Sequence, residues 1–282
     1  MLDDKTFFSF GGGRQSTAIG LLLIEQPDKF TDAGLTLPNH IIFADTGAEP
    51  AKVYKHVDTM RKKLTDAGYQ FHIVNNAKQG EKFKPIDAIE ARGVTTVPWF
   101  TKGIDGTVGM LKRQCTNEFK VQPIHQKIRE LLGYKKGERV TDSANLWLGI
   151  STDESNRTAN SPVRWLVNQY PLLAINWNAV DCSIYGTYKL GYPIPKSACY
   201  FCPFTRPSEW MRRKQEDPQE FLRAVELDNK IRHLSNRNQV NNPCFVHSSG
   251  QPLSSVIDQL SLPLGEVYGF GLDKTCGGHC GL

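Results

Sequence analysis

The sequence predicts an α/β protein: a parallel sheet with flanking helices, plus a smaller, mostly helical C-terminal part that carries cysteines. Three observations predict it. Residues 6–24 read as a strand, a glycine turn and a helix. Strand-like and helix-like segments then keep alternating through the first half. The second half loses that alternation and gains a Cys-x-x-Cys. We place the first domain at 1–160 and the second at 161–282.

Thr6–Phe10 is a short apolar strand, and Ser16–Glu25 a helix opened by consecutive glycines. His40–Ala44 is apolar, rich in β-branched residues, and ends at Asp45. Val53, Val57, Met60 and Leu64 recur at helical spacing, so 53–67 is a helix. Tyr69–Val74 alternates as a third strand, and Leu146–Ile150 is a fourth. Residues 94–113 are aperiodic and read as loop or short helices. Thr116–Leu132 is helical, with Phe119, Ile124, Ile128 and Leu131 as its buried stripe and Lys120 and His125 on polar faces. Asn178 caps a helix to Leu190. Ser208–Arg213 and Pro218–Leu234 are helices, Pro218 suiting a first turn. Strands alternating with helices imply βαβ units and a Rossmann-like parallel sheet.

In such a sheet ligands bind beyond the carboxyl ends of the strands. Three polar segments fall there: Ser9–Thr17, Asp45–Glu49 and Ser151–Glu154. In the first, Gly11, Gly12 and Gly13 let backbone approach a ligand closely. The helix behind them presents unpaired N–H groups and partial positive charge, which makes an anion cradle with Ser9 and Gln15 at its sides. Arg14, Ser16 and Thr17 add side-chain donors. It is neither G-x-x-x-x-G-K-[ST] nor G-x-G-x-x-G. Asp45, Thr46 and Glu49 are candidates for orienting a nucleotide or Mg²⁺, although Asp45 and Glu49 suit a helix cap as well. Asp153 and Glu154 suit Mg²⁺ held through phosphate oxygens and waters, and Arg157 a bidentate grip on phosphate or sulfate.

The chain has 282 residues, 39% hydrophobic and 22% charged, enough to bury a core. Its formal net charge of +5 is compatible with an anionic partner without requiring nucleic acid. The N-terminus lacks a basic, apolar signal segment, and no run approaches the roughly 18 apolar residues of a membrane helix. We therefore expect a cytoplasmic protein with no membrane partner. Seven cysteines in that compartment point to metal or thiol chemistry.

Cys199-Tyr200-Phe201-Cys202-Pro203 directs two thiolates at one centre, and further ligands have to come from elsewhere. Cys115 lies in Arg113-Gln114-Cys115-Thr116, and Cys276 and Cys280 lie in Cys276-Gly277-Gly278-His279-Cys280. Spacing is compatible with zinc or an iron–sulfur cluster and does not choose between them. Cys182 and Cys244 have no partner pattern and read as buried small hydrophobes.

Several segments together resemble one family. They are the Ser9–Ser16 loop, Asp45-Thr46-Gly47-Ala48-Glu49, Cys115-Thr116-Asn117-Glu118-Phe119-Lys120, and Pro195–Cys199 through Cys202-Pro203-Phe204, with Glu209-Trp210 and the terminal cysteines. The chain is similar to phosphoadenosine phosphosulfate reductase-like proteins, in a bacterial and phage-encoded group of the PP-loop adenine nucleotide α-hydrolase superfamily. The resemblance implies a PP-loop/HUP-type sheet that binds ATP with Mg²⁺. It implies a [4Fe–4S] cluster on Cys115, Cys199 and Cys202, with Cys276 as fourth ligand and structural zinc as the alternative. Relatives include sulfonucleotide reductases, tRNA-thiolating enzymes and the ATP pyrophosphatases of DNA phosphorothioation. Gln15 replaces the acidic residue usual in the loop. The terminal Cys280-Gly281-Leu282 departs from the reductases' Glu-Cys-Gly-Leu-His, since His279 precedes Cys280 and no histidine ends the chain.

The expected function is ATP-dependent sulfur transfer to a nucleic acid, DNA before tRNA, through an adenylated intermediate. Arg14 and Asp45 would serve the nucleotide step, and Cys280 would carry persulfide from a cysteine desulfurase or other sulfur donor. The enzymatic alternative is a phosphoadenylylsulfate or adenylylsulfate reductase releasing sulfite, with Cys280 as nucleophile. A non-catalytic, nucleotide-binding iron–sulfur subunit is the alternative of another class.

Overall fold

The computed structural model describes residues 2–76, 97–234 and 240–260. Its strands among these are β1 (Asp3–Ser9), β2 (Pro38–Ala44), β3 (Gln70–Val74), β4 (Phe100–Lys102), β5 (Val108–Met110), β6 (Ala144–Leu148), β7 (Leu166–Gln169) and β8 (Cys244–Phe245). The longer helices are α1 (Arg14–Glu25), α2 (Ala51–Asp66), α3 (Gln122–Leu131), α4 (Ala179–Leu190), α5 (Pro207–Glu216), α6 (Pro218–Leu234) and α7 (Leu253–Leu260). The chain divides into two units, each built from separated segments.

The described part of the first unit is 2–76 and 116–197. It holds a five-stranded sheet in the order β3-β2-β1-β6-β7, parallel throughout. Phe7 and Phe8 are both fully buried, because successive side chains enter opposite faces. Phe8 joins α1, α2, Trp147 and Cys182 in one core, and Phe7 joins Ile42, Leu146, Leu148, Ile124 and Ile128 in the other. A sheet covered on both faces reads as continuous apolar runs, as at Ile41-Ile42-Phe43. α1 is buried from Ser16 to Leu23 and packs on α2 and α4. Asn178 caps α4 as expected, its side chain accepting from the N–H groups of Val180 and Asp181.

The described part of the second unit is 97–115, 198–234 and 240–260. Its core is a three-stranded antiparallel sheet, β5-β4-β8, with α5, α6 and α7. Asp228 organises it. Its buried carboxylate accepts the Val246 N–H at 2.8 Å and the Leu253 N–H at 3.0 Å, and pairs with Arg232. One side chain thus ties α6 to β8 and to the start of α7.

Three expectations need correction. The first unit does not end at residue 160: β7 continues the sheet, and α4 covers α1. The aperiodic stretch before Cys115 is no loop but the β4–β5 hairpin, held also by β8. The helix expected from Thr116 begins as a π-turn over Asn117–Val121 before continuing as α3. Among the described residues no helix is long and apolar enough to cross a membrane.

Candidate functional site

The site lies in the first unit, where the strand order reverses. From β1 the chain proceeds to β2 and β3 on one side and returns to β6 on the other. The crevice between β1 and β6 is therefore the switch point at which such sheets bind ligands. The glycine turn follows β1, and Gly149–Ser151 follow β6. A Cβ on Gly149 would stand 3.3 Å from the Ser16 nitrogen, so glycine there lets the two turns meet.

Gly12 has φ +70°, and Gly13 is the N-cap of α1. Ser16 closes the turn on itself, its hydroxyl donating to the Gly13 carbonyl at 3.1 Å and accepting the Gly13 N–H at 3.2 Å. Thr17 is fully buried, with its hydroxyl 2.7 Å from His56 Nε2, and His56 Nδ1 lies 3.1 Å from the Tyr192 hydroxyl. Burial pushes the His56 imidazole down to about 4. Ser16 and Thr17 thus shape the cradle rather than offer it side-chain donors.

Gln15 donates to the Glu154 carboxylate at 3.2 Å, and Arg157 pairs with the same oxygen at 2.8 Å. The Arg157 side chain is only 10% exposed, and its Nε is buried without a partner. The carboxylate that the loop lacks at Gln15 is therefore brought to it from the turn after β6. Burial alone would raise the Asp153 carboxyl, but hydrogen-bond donors, the Ala179 N–H at 2.9 Å among them, and the charge of Arg14 hold it below the ordinary range. Asp153 thereby caps the start of α4.

Beyond β2, Asp45 Oδ1 accepts the Gly47 N–H at 2.8 Å and the Tyr54 hydroxyl at 2.7 Å. Burial and that carboxylate push the Tyr54 phenol well up. Thr46 is turned inward, 1% exposed. Glu49 is buried, accepts from the Ser197 hydroxyl at 3.2 Å, and lies 3.8 Å from Lys120 Nζ.

Lys120 also lines a cavity of ≈ 220 Å³ above the carboxyl ends of β1, β2 and β6. Phe10, Phe43, Leu146 and Leu148 wall it, and Ser9 and Gly11 bring the glycine turn to its edge. Asn117, His125, Asn160 and Asn168 supply polar groups. Sequence reasoning had set Lys120 and His125 on polar faces. The π-turn accommodates an extra residue per turn and so shifts the phase of everything before α3. Lys120 was expected on a polar helix face and not at the site, and Gly149 and Asn168 were not expected there; the glycine directly after a strand was the one signal that pointed to Gly149.

In the second unit the Cys199–Cys202 turn is closed by the Cys202 N–H donating to the Cys199 carbonyl at 3.0 Å. Arg213 is buried and donates to the Tyr200 carbonyl at 2.8 Å, and Arg223 lies 4.4 Å from the Tyr200 ring centroid. Cys115, Cys199 and Cys202 form no disulfide. Among the described residues no three Cys, His, Asp or Glu side chains are grouped to hold a metal ion, so these three do not by themselves make the expected site. Cys276 and Cys280 lie outside the described residues. Cys182 and Cys244 are buried, their thiols pushed up to about 12 and about 11 by burial. The basic run in α5 is spent internally: Arg212 pairs with Glu209 and Glu216, and Lys214 with Asp258.

The phosphoadenosine phosphosulfate reductase domain matches residues 5–187, from β1 into α4. The chain belongs to that family. Membership places it in the PP-loop superfamily and supports a nucleotide-utilising function. No curated protein matches it. Among solved structures, the phosphate complex of phosphoadenylyl-sulfate reductase from Candida auris is similar at 14% identity and a TM-score of 0.40, covering 67% of this chain and 74% of that one. The match runs from within β1 through β7 and ends before the Cys199–Cys202 turn.

Proposed function

We propose that this chain is an ATP pyrophosphatase of the phosphoadenosine phosphosulfate reductase family, serving sulfur transfer to a nucleic acid, with DNA preferred over tRNA. The observation that carries the reading is the apolar cavity opening directly beside the glycine turn. A base fits the first, and a polyphosphate fits the second. The α1 N-terminus binds the phosphate chain, with Arg14 and the buried Arg157 adding charge at the crevice. Glu154, which Gln15 and Arg157 hold at the crevice, would take Mg²⁺, which would neutralise phosphate charge when bound. Asp45 and Glu49 act by positioning: Asp45 shapes its loop, and Glu49 holds Lys120 at the cavity.

In this reading an acceptor oxygen attacks the α-phosphorus and pyrophosphate leaves. The outer sulfur of a Cys280 persulfide, charged by a separate donor, then displaces AMP, and an external thiol reduces the resulting disulfide to free the thiolated acceptor and the Cys280 thiol. No step runs through a metal cluster, whose ligands are not gathered among the described residues. The test is turnover by anaerobically purified protein with Mg²⁺ and DNA or tRNA. AMP and pyrophosphate are expected, stimulated by the true acceptor. The family match favours a second reading, reduction of phosphoadenylylsulfate or adenylylsulfate. Sulfite release that Cys280→Ser abolishes, with ATP left intact, would establish it instead.

A further inference from the structure

The cavity's walls say which base belongs in it, if the nucleotide reading above holds. Phe10, Phe43, Leu146 and Leu148 offer flat, apolar contact that accepts any purine alike. Discrimination between purines must come from a polar atom whose hydrogen-bonding sense is fixed. Lys120 is a fixed donor, but its ammonium is drawn to Glu49, 3.8 Å away. His125 does not supply it either. Burial keeps its imidazole neutral, and a neutral imidazole presents a donor or an acceptor according to tautomer.

Asn168 is different. It sits on β7 opposite Leu146 and shares the cavity face of the sheet with Leu166. Its Nδ2 donates to the Ala159 carbonyl at 2.9 Å. That carbonyl also accepts the Tyr170 hydroxyl at 2.6 Å, and the Ala159 N–H donates back to the same hydroxyl at 2.8 Å. A carbonyl only accepts, so the carboxamide has one orientation: nitrogen toward Ala159, oxygen turned away from it. Among the described residues Oδ1 makes no hydrogen bond of its own.

We propose that Asn168 is the specificity-determining residue of this cavity, its Oδ1 accepting a hydrogen bond from the exocyclic amine of a 6-aminopurine. A 6-oxopurine turns a carbonyl lone pair toward the same oxygen. Two acceptors then face each other in a mostly apolar cavity, and neither is satisfied.

The experiment uses the full chain and measures binding of the α,β-methylene analogues of ATP and ITP, and of inorganic pyrophosphate, by calorimetry. The wild type is expected to bind the 6-amino analogue about tenfold or more tightly than the 6-oxo analogue. Asn168→Leu should reduce that preference to below about threefold while leaving pyrophosphate affinity unchanged. Asn168→Asp retains an acceptor and should retain the preference. Full preference in Asn168→Leu, or its loss in a folded Asn168→Asp, overturns the proposal. Equal wild-type affinity for both analogues overturns it too, yet leaves the nucleotide site standing. Failure of the wild type to bind any nucleotide removes both.

Discussion

Asp228 and His56 show what single buried polar groups do in the two units. Asp228 is 1% exposed and satisfies two backbone N–H groups and Arg232. Asp228→Ala strands both backbone N–H groups and takes the carboxylate away from Arg232, so a loss of about 3 kcal/mol is expected in urea unfolding. Asp228→Asn keeps one acceptor and should lose less. His56 is 2% exposed and bridges Thr17 and Tyr192 as a neutral ring. Burial pushes the ring down to about 4 in the folded chain, below the ordinary imidazole value of 6.5, so the unfolded chain binds the proton more readily. Stability from this group is complete above pH 6.5 and drains away as pH falls through about 4. By pH 5 the loss should be about 2 kcal/mol. His56→Gln should be less stable at pH 7 but should flatten that part of the pH profile. An unchanged slope in the variant would assign the acid sensitivity elsewhere.

At the scale of elements, the glycine turn depends on backbone that other residues avoid. Gly12 has φ +70°, and a Cβ there would stand 3.1 Å from Val57 Cγ2. Gly12→Ala therefore combines left-handed strain with crowding against α2. It should cost about 1–2 kcal/mol and weaken nucleotide binding by about tenfold or more, read by thermal melting and calorimetry. This turn was legible in the sequence because it is local: apolar strand, three glycines, apolar helix. The same holds for Asn178, whose capping geometry needs only its own neighbours. β7 was not legible. Leu166-Val167-Asn168-Gln169 is half polar, and it is a strand because β6 offers an edge. The β4–β5 hairpin escaped for a similar reason: Phe100 also pairs with Phe245, far along the chain. Lys120 escaped because a π-turn breaks the period from which helix faces are read. The glycine-turn end of the site was therefore readable, while its cavity end, lined from α3 and β7, was not.

At the scale of the whole chain, the two units interleave in sequence, and this decides where the chain can be cut. The boundary expected at residue 160 would leave β6 without β7 and α1 without α4. Fragment 1–160 would lack Leu166, Leu172 and Cys182, all buried in the first unit's cores, and the Gln169 side chain that accepts the Trp147 indole N–H at 2.9 Å. Each large apolar side chain lost or exposed forfeits about 1.5–3 kcal/mol, and the faces of α1 and β6 uncovered add to that. Domain stabilities are only about 5–15 kcal/mol, so the fragment's deficit matches or exceeds what the intact unit has. Fragment 1–160 should show no cooperative urea transition by circular dichroism and no nucleotide binding. The full chain should show both, with melting raised by nucleotide in proportion to the logarithm of its concentration above Kd. A cooperative transition in 1–160 would mean that the central strands and α1 hold together without β7 and α4. The nucleotide cradle would then be separable from Asn168, and a 1–160 fragment that bound pyrophosphate but favoured neither purine would be the form in which that separation appears.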